Sequence, residues 1–319
     1  MNMPHQRLRA LVLALSVCVV VVGGCSKQRD DGTTTIALNW KPEPEFGGLY
    51  EAERTKTFQK HGVDIAITGG PGAPVVQMVT AGQVTFGIAS ADEVVIARER
   101  GSDIVAVFAT YQTSPQGLMT HAARGITSLE QLMTAGGTLA VEPGVPYVKF
   151  LEKKYGFGRL QVVPYTYSVA PFLQNPKLTQ QVFVTSEPIS ARRQGADPAV
   201  FLVADSGYNP YTAVVIARGA LVREKPQLIE GVVAGLREGW RAYLDDPTPA
   251  NELMAELNPE MDAESFRLAA QAQKPLIETG TEPLGSMTRE RWSTLVDQLR
   301  GLGLIEKPVD PESCFANPS

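Results

Sequence analysis

Cysteine and histidine are both scarce, three of each in 319 residues, and the scarcity removes several chemistries at once. Cys18, Cys25 and Cys314 form no CxxC pair, and no Cys/His cluster has zinc-ligand spacing, so neither a disulfide framework nor a metal site is expected. His5 lies in the N-terminal leader-like segment, and His61 precedes Gly62 at a helix-ending position. No GxSxG, HExxH or GxxxxGK[ST] pattern occurs, which leaves no catalytic residue and no cofactor to nominate. Basic residues are the minority as well, 29 Lys and Arg against 34 Asp and Glu. A nucleic-acid partner usually requires a basic face, and none is expected here. Stability must come from an apolar core, which a chain of this length can build.

The N-terminus supplies a long hydrophobic run that the rest of the chain lacks. Arg7 and Arg9 precede an almost unbroken apolar stretch at residues 10–22, too short for a permanent membrane span and suited to a signal h-region. The sequence Val22-Gly23-Gly24-Cys25 that follows resembles the lipobox of bacterial lipoproteins. That resemblance implies removal of residues 1–24, lipidation of Cys25, and export to a bacterial membrane with the protein facing the periplasm or cell exterior. Cleavage removes two arginines and no acid, so the mature chain is more acidic still. Residues 25–32 are polar and read as a tether between lipid and folded body.

Beyond the tether, β-branched runs alternate with helical patterns. TTTIALNW (33–40), VDIAIT (63–68), VTFGIAS (84–90) and DIVAVFATY (103–111) read as strands, separated by segments of helical periodicity that end in glycine. A second set follows at TLAVE (138–142), VVPYTY (162–167) and QVFVTS (181–186), then FLVADSG (201–207) and YTAVVIARG (211–219), before three helical segments close the chain. The alternation predicts an α/β fold of two doubly wound units with mostly parallel sheets. Residues 33–118 and 207–319 are assigned to one lobe and 119–206 to the other, with crossings near 119–122 and 205–211. A cleft is expected between the carboxyl ends of the two sets of strands.

Several loops would face that cleft. NWKPEPEFGGLY (39–50) gathers Trp40, Glu45, Phe46 and Tyr50 around two prolines and a glycine pair, and loops that mix aromatics with carboxylates are frequent ligand sites. Glu43 and Glu45, on either side of Pro44, read as solvated charges or hydrogen-bond acceptors rather than a catalytic pair. GGPGAP (69–74) precedes a helix. SADE (90–93) places Glu93 three residues after Ser90, which fits a helix capping box and is compatible with ligand contact; Thr127 and Glu130 have the same spacing. VEPGVPYVKF (141–150) offers Gly144 and Tyr147, and TSEP (185–188) places Glu187 at a strand end. Tyr111, Tyr165, Tyr167, Tyr208 and Tyr211 also fall near strand ends. A flat ligand could stack between such rings while carboxylates accept from its N–H groups. A cation would suit the same mixture.

Taken together, NWKPEPEFGGLYEA, AGQVTFGIASADEV, VEPGVPYVKF and SEPISARRQGAD with LVADSGYNPYTAVVIAR resemble the substrate-binding proteins of ABC importers, in the branch that includes thiamine-pyrimidine-precursor binding proteins and pyrimidine synthases. The resemblance spans about residues 34–300. It implies the bilobal periplasmic-binding-protein fold of type II with a two-crossover hinge, a small-molecule ligand, and delivery by a monomer to a membrane permease and its ATPase. It places Trp40 at a ligand-stacking aromatic, Tyr50 at the tyrosine after the glycine, and Glu93 and Glu187 at acidic positions near the pocket. Phe46 departs from the pattern, because members that handle the pyrimidine commonly carry histidine there. The synthases also need a cysteine-rich segment that this chain lacks. The expected function is therefore capture of an aromatic heterocycle, a thiamine precursor or a flavin-like molecule. Sulfonate or anion binding, a receptor-docking sensor lipoprotein and a pyrimidine-synthase-type enzyme are the alternatives.

Overall fold

Apolar runs bounded by turn residues fold as strands and sort into two sheets. The computed structural model describes residues 34–280 and 282–318, so the expected signal segment, Cys25 and the tether lie outside the described residues. The first sheet contains β1 (Thr34–Leu38), β2 (Ile65–Gly69), β3 (Phe86–Ala89), β4 (Ile104–Tyr111) and, from much later in the chain, β10 (Thr212–Arg218), in the order β2-β1-β3-β10-β4. The second contains β5 (Gln116–His121), β6 (Gly137–Val141), β7 (Leu160–Pro164), β8 (Leu178–Phe183) and β9 (Pro198–Leu202), in the order β7-β6-β8-β5-β9.

Both sheets are mixed rather than mostly parallel, for one topological reason. β10 pairs antiparallel with β3 and β4, and β5 pairs antiparallel with β8 and β9, while the β1 and β6 pairings are parallel. β5 and β10 are the strands that follow the two crossings. A chain arriving from the other lobe enters at the edge where the parallel strands end, and it can only run back against them.

The first crossing differs from the sequence expectation. Residues 119–122 are not a connection: Met119 and Thr120 are fully buried within β5, which pairs along its length inside the second sheet. The crossing is residues 112–115, where Pro115 cannot donate to a ladder. The second crossing is residues 207–211, between the 3-10 turn Val203–Ser206 and β10. The two crossings are bonded to one another, Ser114 N–H donating to Asn209 Oδ1 at 2.8 Å and Thr212 Oγ1 to Ser114 Oγ at 2.9 Å.

The helices explain the glycine pair in the first loop. The long helix Pro226–Asp245 starts with proline in its first turn and buries Ile229, Val232, Val233, Leu236, Trp240 and Tyr243. Gly47 and Gly48 open the helix Gly47–Arg54 that packs across it. A Cβ on Gly47 would sit 2.2 Å from the Tyr243 ring, and one on Gly48 would sit 2.2 Å from Trp240. The pair is there to let two helices approach. Residues after Arg54 do not continue as one helix, because Lys56 takes a left-handed φ of 57° before Thr57–Lys60 starts.

Candidate functional site

A cleft of about 940 Å³ lies between the lobes, walled by the loops that follow the carboxyl ends of β1 and β3 on one side and of β6, β7 and β8 on the other. The loop after β1 is shaped by a short 3-10 turn, Pro44–Phe46, with proline at its start. Phe46 turns into the protein, while Glu43, the buried Pro44 and Glu45 line the cleft. The carbonyls of Pro42 and Pro44 accept from Asn258 Nδ2 at 3.1 Å and Gln273 Nε2 at 2.8 Å, so the C-terminal helices hold this loop in place.

Two contacts join the walls. Trp40 of the first lobe and Tyr167 of the second have ring centroids 5.9 Å apart, and Ser186 Oγ donates to Glu43 Oε2 at 3.3 Å. Trp40 Nε1 donates to the other oxygen of Glu43 at 3.2 Å. On the second lobe, Glu187 accepts from Tyr165 OH at 2.9 Å and from Phe183 N–H at 2.8 Å. Gln181 Oε1 accepts from Tyr147 OH at 3.1 Å and from Glu142 N–H at 2.5 Å, while Tyr167 OH donates to Glu142 at 3.2 Å. Tyr167 stands out, because it is 56% exposed and its φ is 56°, a left-handed conformation that a side chain bearing a Cβ adopts at some strain.

The electrostatics of the cleft are one-sided. Glu43, Glu45, Asp92, Glu93, Glu142 and Glu187 line it, and among the described residues Lys41 is the cation that does, already paired with Glu260. Burial raises the Glu43 carboxyl from 4.5 to about 7, and the Glu187 charge pushes in the same direction. Burial, then Glu43 and Glu187, lift Glu45 well above the ordinary carboxylate range. Burial also raises Glu187 and Glu93, the latter with help from Asp92. Uncharged acids can share protons with one another or hand an acceptor to an N–H of a ligand.

The structure brings Trp40, Glu45, Ser90, Glu93, Gly144, Tyr147 and Glu187 to the cleft. Ser90 and Glu93 also cap the helix Ala91–Glu99, with Ser90 N–H and Oγ both donating to Glu93 at 2.9 Å. Phe46 and Tyr50, expected as ligand contacts, do not line the cleft. Phe46 is 2% exposed and Tyr50 6%, both within the core of the first lobe, because the turn and the helix after it carry these positions inward. The cap expected at Thr127 and Glu130 is one residue later, Ser128 accepting from Gln131 N–H at 3.1 Å. Glu43 is half-buried and bonded rather than solvated. Gln181 is missing from the sequence expectation, although it opens the expected strand QVFVTS, where a polar residue ahead of Val182 and Phe183 is the available signal for a polar wall.

Comparison with known proteins follows the same lines. Residues 43–250 match the family described as NMT1/THI5 like. The riboflavin-binding protein RibY of Chloroflexus aurantiacus is 23% identical over 302 residues, covering 89% of this chain and 84% of that protein. A 4-amino-5-hydroxymethyl-2-methylpyrimidine phosphate synthase of Legionella pneumophila is 19% identical, covering 89% and 90%. Among solved structures, the periplasmic aliphatic sulphonate binding protein SsuA of Escherichia coli superposes with a TM-score of 0.71 at 16% identity, over 90% of this chain and 93% of that one, which shows the shared bilobal periplasmic-binding-protein fold. With its two crossings, its mixed sheets and its match over most of the length, the chain belongs to the NMT1/THI5-like family.

Proposed function

We propose that the protein is the solute-binding component of an ABC importer and captures a small aromatic heterocycle that presents N–H groups or positive charge. The observation that carries this reading is the composition of the cleft: Trp40, Tyr147, Tyr165 and Tyr167 supply ring faces, and the carboxyls of Glu43, Glu45, Glu142 and Glu187 supply acceptors. An aromatic cation or an amino-substituted ring satisfies both at once. A sulfonate finds little here, since anion sites rely on arginine, lysine or clustered N–H donors and Lys41 is already paired with Glu260. The relatives named for riboflavin and for a methylpyrimidine bracket the size range, and a cleft of about 940 Å³ accommodates either. Export, lipid anchoring through Cys25 and delivery to a permease with its ATPase complete the proposal. Turnover has no part in it.

The test is a thermal-shift screen of the purified protein against riboflavin, thiamine, its hydroxymethyl and formylamino pyrimidines, and alkanesulfonates. A ligand that binds only the folded form raises the midpoint as its concentration exceeds Kd. A heterocycle is expected to give the largest shift. Trp40→Ala should weaken that heterocycle at least about tenfold, given an aromatic contact of roughly 0.5–1.5 kcal/mol plus the buried area lost. Tyr167→Ala should weaken it by a smaller factor, and Tyr167→Phe, which keeps the ring, by little. A shift produced by sulfonates alone would overturn the heterocycle reading.

A further inference from the structure

The helix Arg289–Gly301 near the C-terminus lies beside both crossings, and its Arg291 has an arrangement that ligand contact does not explain. The guanidinium is half-buried, and among the described residues no carboxylate pairs with it. Its donors go to crossing backbone and one crossing side chain instead. Nη1 donates to Gln112 O of the first crossing at 2.5 Å. Nε donates to Asn209 O at 2.8 Å, and Nη2 to Asn209 Oδ1 and Pro210 O, each at 3.1 Å, all in the second. The carbon of the guanidinium stands 3.9 Å from the centre of the Tyr211 ring, which closes the second crossing. Asn209 Oδ1 is shared, since it also accepts from Ser114 N–H of the first crossing at 2.8 Å.

An unpaired half-buried charge is costly, and a planar fork of fixed donors is the group best able to hold two strands at one spacing. Further along the same helix, Gln298 Nε2 donates to Gly207 O at 2.8 Å, and Gly301 O accepts from Lys153 Nζ of the second lobe at 2.6 Å. The helix therefore touches the second crossing in its first turn and again in its last, where its end also meets the second lobe. The contacts across the cleft, Trp40 with Tyr167 and Ser186 with Glu43, are made at the angle the lobes have in this structure.

We propose that Arg291 is a positioning residue for ligand capture: by gripping both crossings at once it fixes the angle between the lobes, and so the register of the two cleft walls, from outside the cleft. The interlobe angle is a property of the unliganded protein, which makes the proposal independent of what the ligand is.

Nitroxides placed at Glu53→Cys and Lys177→Cys, one exposed position on each lobe, in a Cys18→Ser, Cys25→Ser background with the buried Cys314 left in place, report that angle by pulsed electron resonance without ligand. The protein with native Arg291 is expected to give one narrow distance distribution, and Arg291→Gln a distribution at least twice as wide. Arg291→Lys keeps the charge but has one nitrogen, too compact to reach Gln112 and Asn209 together, and should also be broad. Asn209→Ala removes the shared acceptor while leaving the guanidinium in place; it should broaden the distribution even where Arg291→Gln does not fold. Unchanged widths in Arg291→Gln or in Asn209→Ala would overturn the proposal, as would a narrow distribution restored by lysine. A fall in melting temperature without broadening would show Arg291 to be a stabilising residue only, and would overturn it too.

Discussion

Gly239→Ala is expected to destabilise the protein by about 3 kcal/mol, and Gly239→Leu to prevent folding. Gly239 sits where the helix Pro226–Asp245 crosses the helix Gly47–Arg54. A Cβ there would meet the Gly48 carbonyl oxygen at 2.2 Å, the Ala52 Cβ at 2.6 Å and the Ala52 nitrogen at 3.0 Å. Two of those three atoms are backbone, so relief requires the helices to separate. Separation exposes Trp240, Leu49 and Tyr243, all nearly fully buried. The helix-propensity gain of alanine over glycine, about 1 kcal/mol, offsets only part of this. For a chain of this size the net loss corresponds to a midpoint lower by roughly 4–6 °C. Gly280→Ala is the control, since a Cβ there meets nothing within 4 Å, and it should shift the midpoint by under about 2 °C. Equal midpoints for the two variants would show that this helix crossing does not depend on the absence of a side chain.

The same helix crossing marks a boundary between what the sequence disclosed and what it did not. Strands such as Thr212–Arg218 and helices such as Pro226–Asp245 and Ala263–Ile277 fall within a residue or two of their sequence patterns, because long periodic runs carry their own burial signal. β8 begins three residues earlier than the apolar run suggests, since Thr179 and Gln180 are polar yet buried in the sheet. The first crossing is displaced for a related reason: in β5 only Leu118 and Met119 are apolar, flanked by Gln116, Gly117, Thr120 and His121, so nothing local distinguishes it from a connection until it pairs with β8 and β9. In the cleft, residue types proved legible and directions did not. The loop NWKPEPEFGGLY contains both core and cleft residues, and the 3-10 turn at Pro44–Phe46 decides which side each one faces. That turn is fixed by Asn258 and Gln273, more than two hundred residues away. Glu43 shows the consequence, for its half-burial and its bond to Ser186 exist only when the second lobe is present.

Glu43→Gln is expected to make the protein more stable at pH 8 by about 2–3 kcal/mol while leaving it unchanged near pH 4. Glu43 titrates at about 7 in the folded protein against 4.5 for an ordinary glutamate, with burial as the main cause and Glu187 as the second. Between these two values the folded state holds a proton that the unfolded state has released, so stability falls as pH rises through the window. Below pH 4.5 both states are protonated and the penalty is absent. Above about pH 7 both are ionised and the penalty is complete, close to 3 kcal/mol before allowance for water on the cleft side. Glutamine keeps the shape and can still accept from Trp40 and Ser186, so it removes the charge with little else. Unfolding midpoints of the two proteins from pH 4 to 8 should therefore diverge mainly between pH 5 and 7. Glu187→Gln should narrow the same divergence from the other side, because it removes the second cause of the Glu43 shift. Parallel pH profiles for Glu43→Gln and the native protein would mean that water enters the cleft freely enough to solvate the carboxylate, and the acidic wall would then offer a ligand only ordinary surface charge. Divergence with the stated sign would mean that the empty cleft holds its acids under strain. A ligand that donates N–H or carries positive charge relieves that strain when it binds, and binding near pH 7 would then release protons measurable by calorimetry in buffers of different ionisation enthalpy.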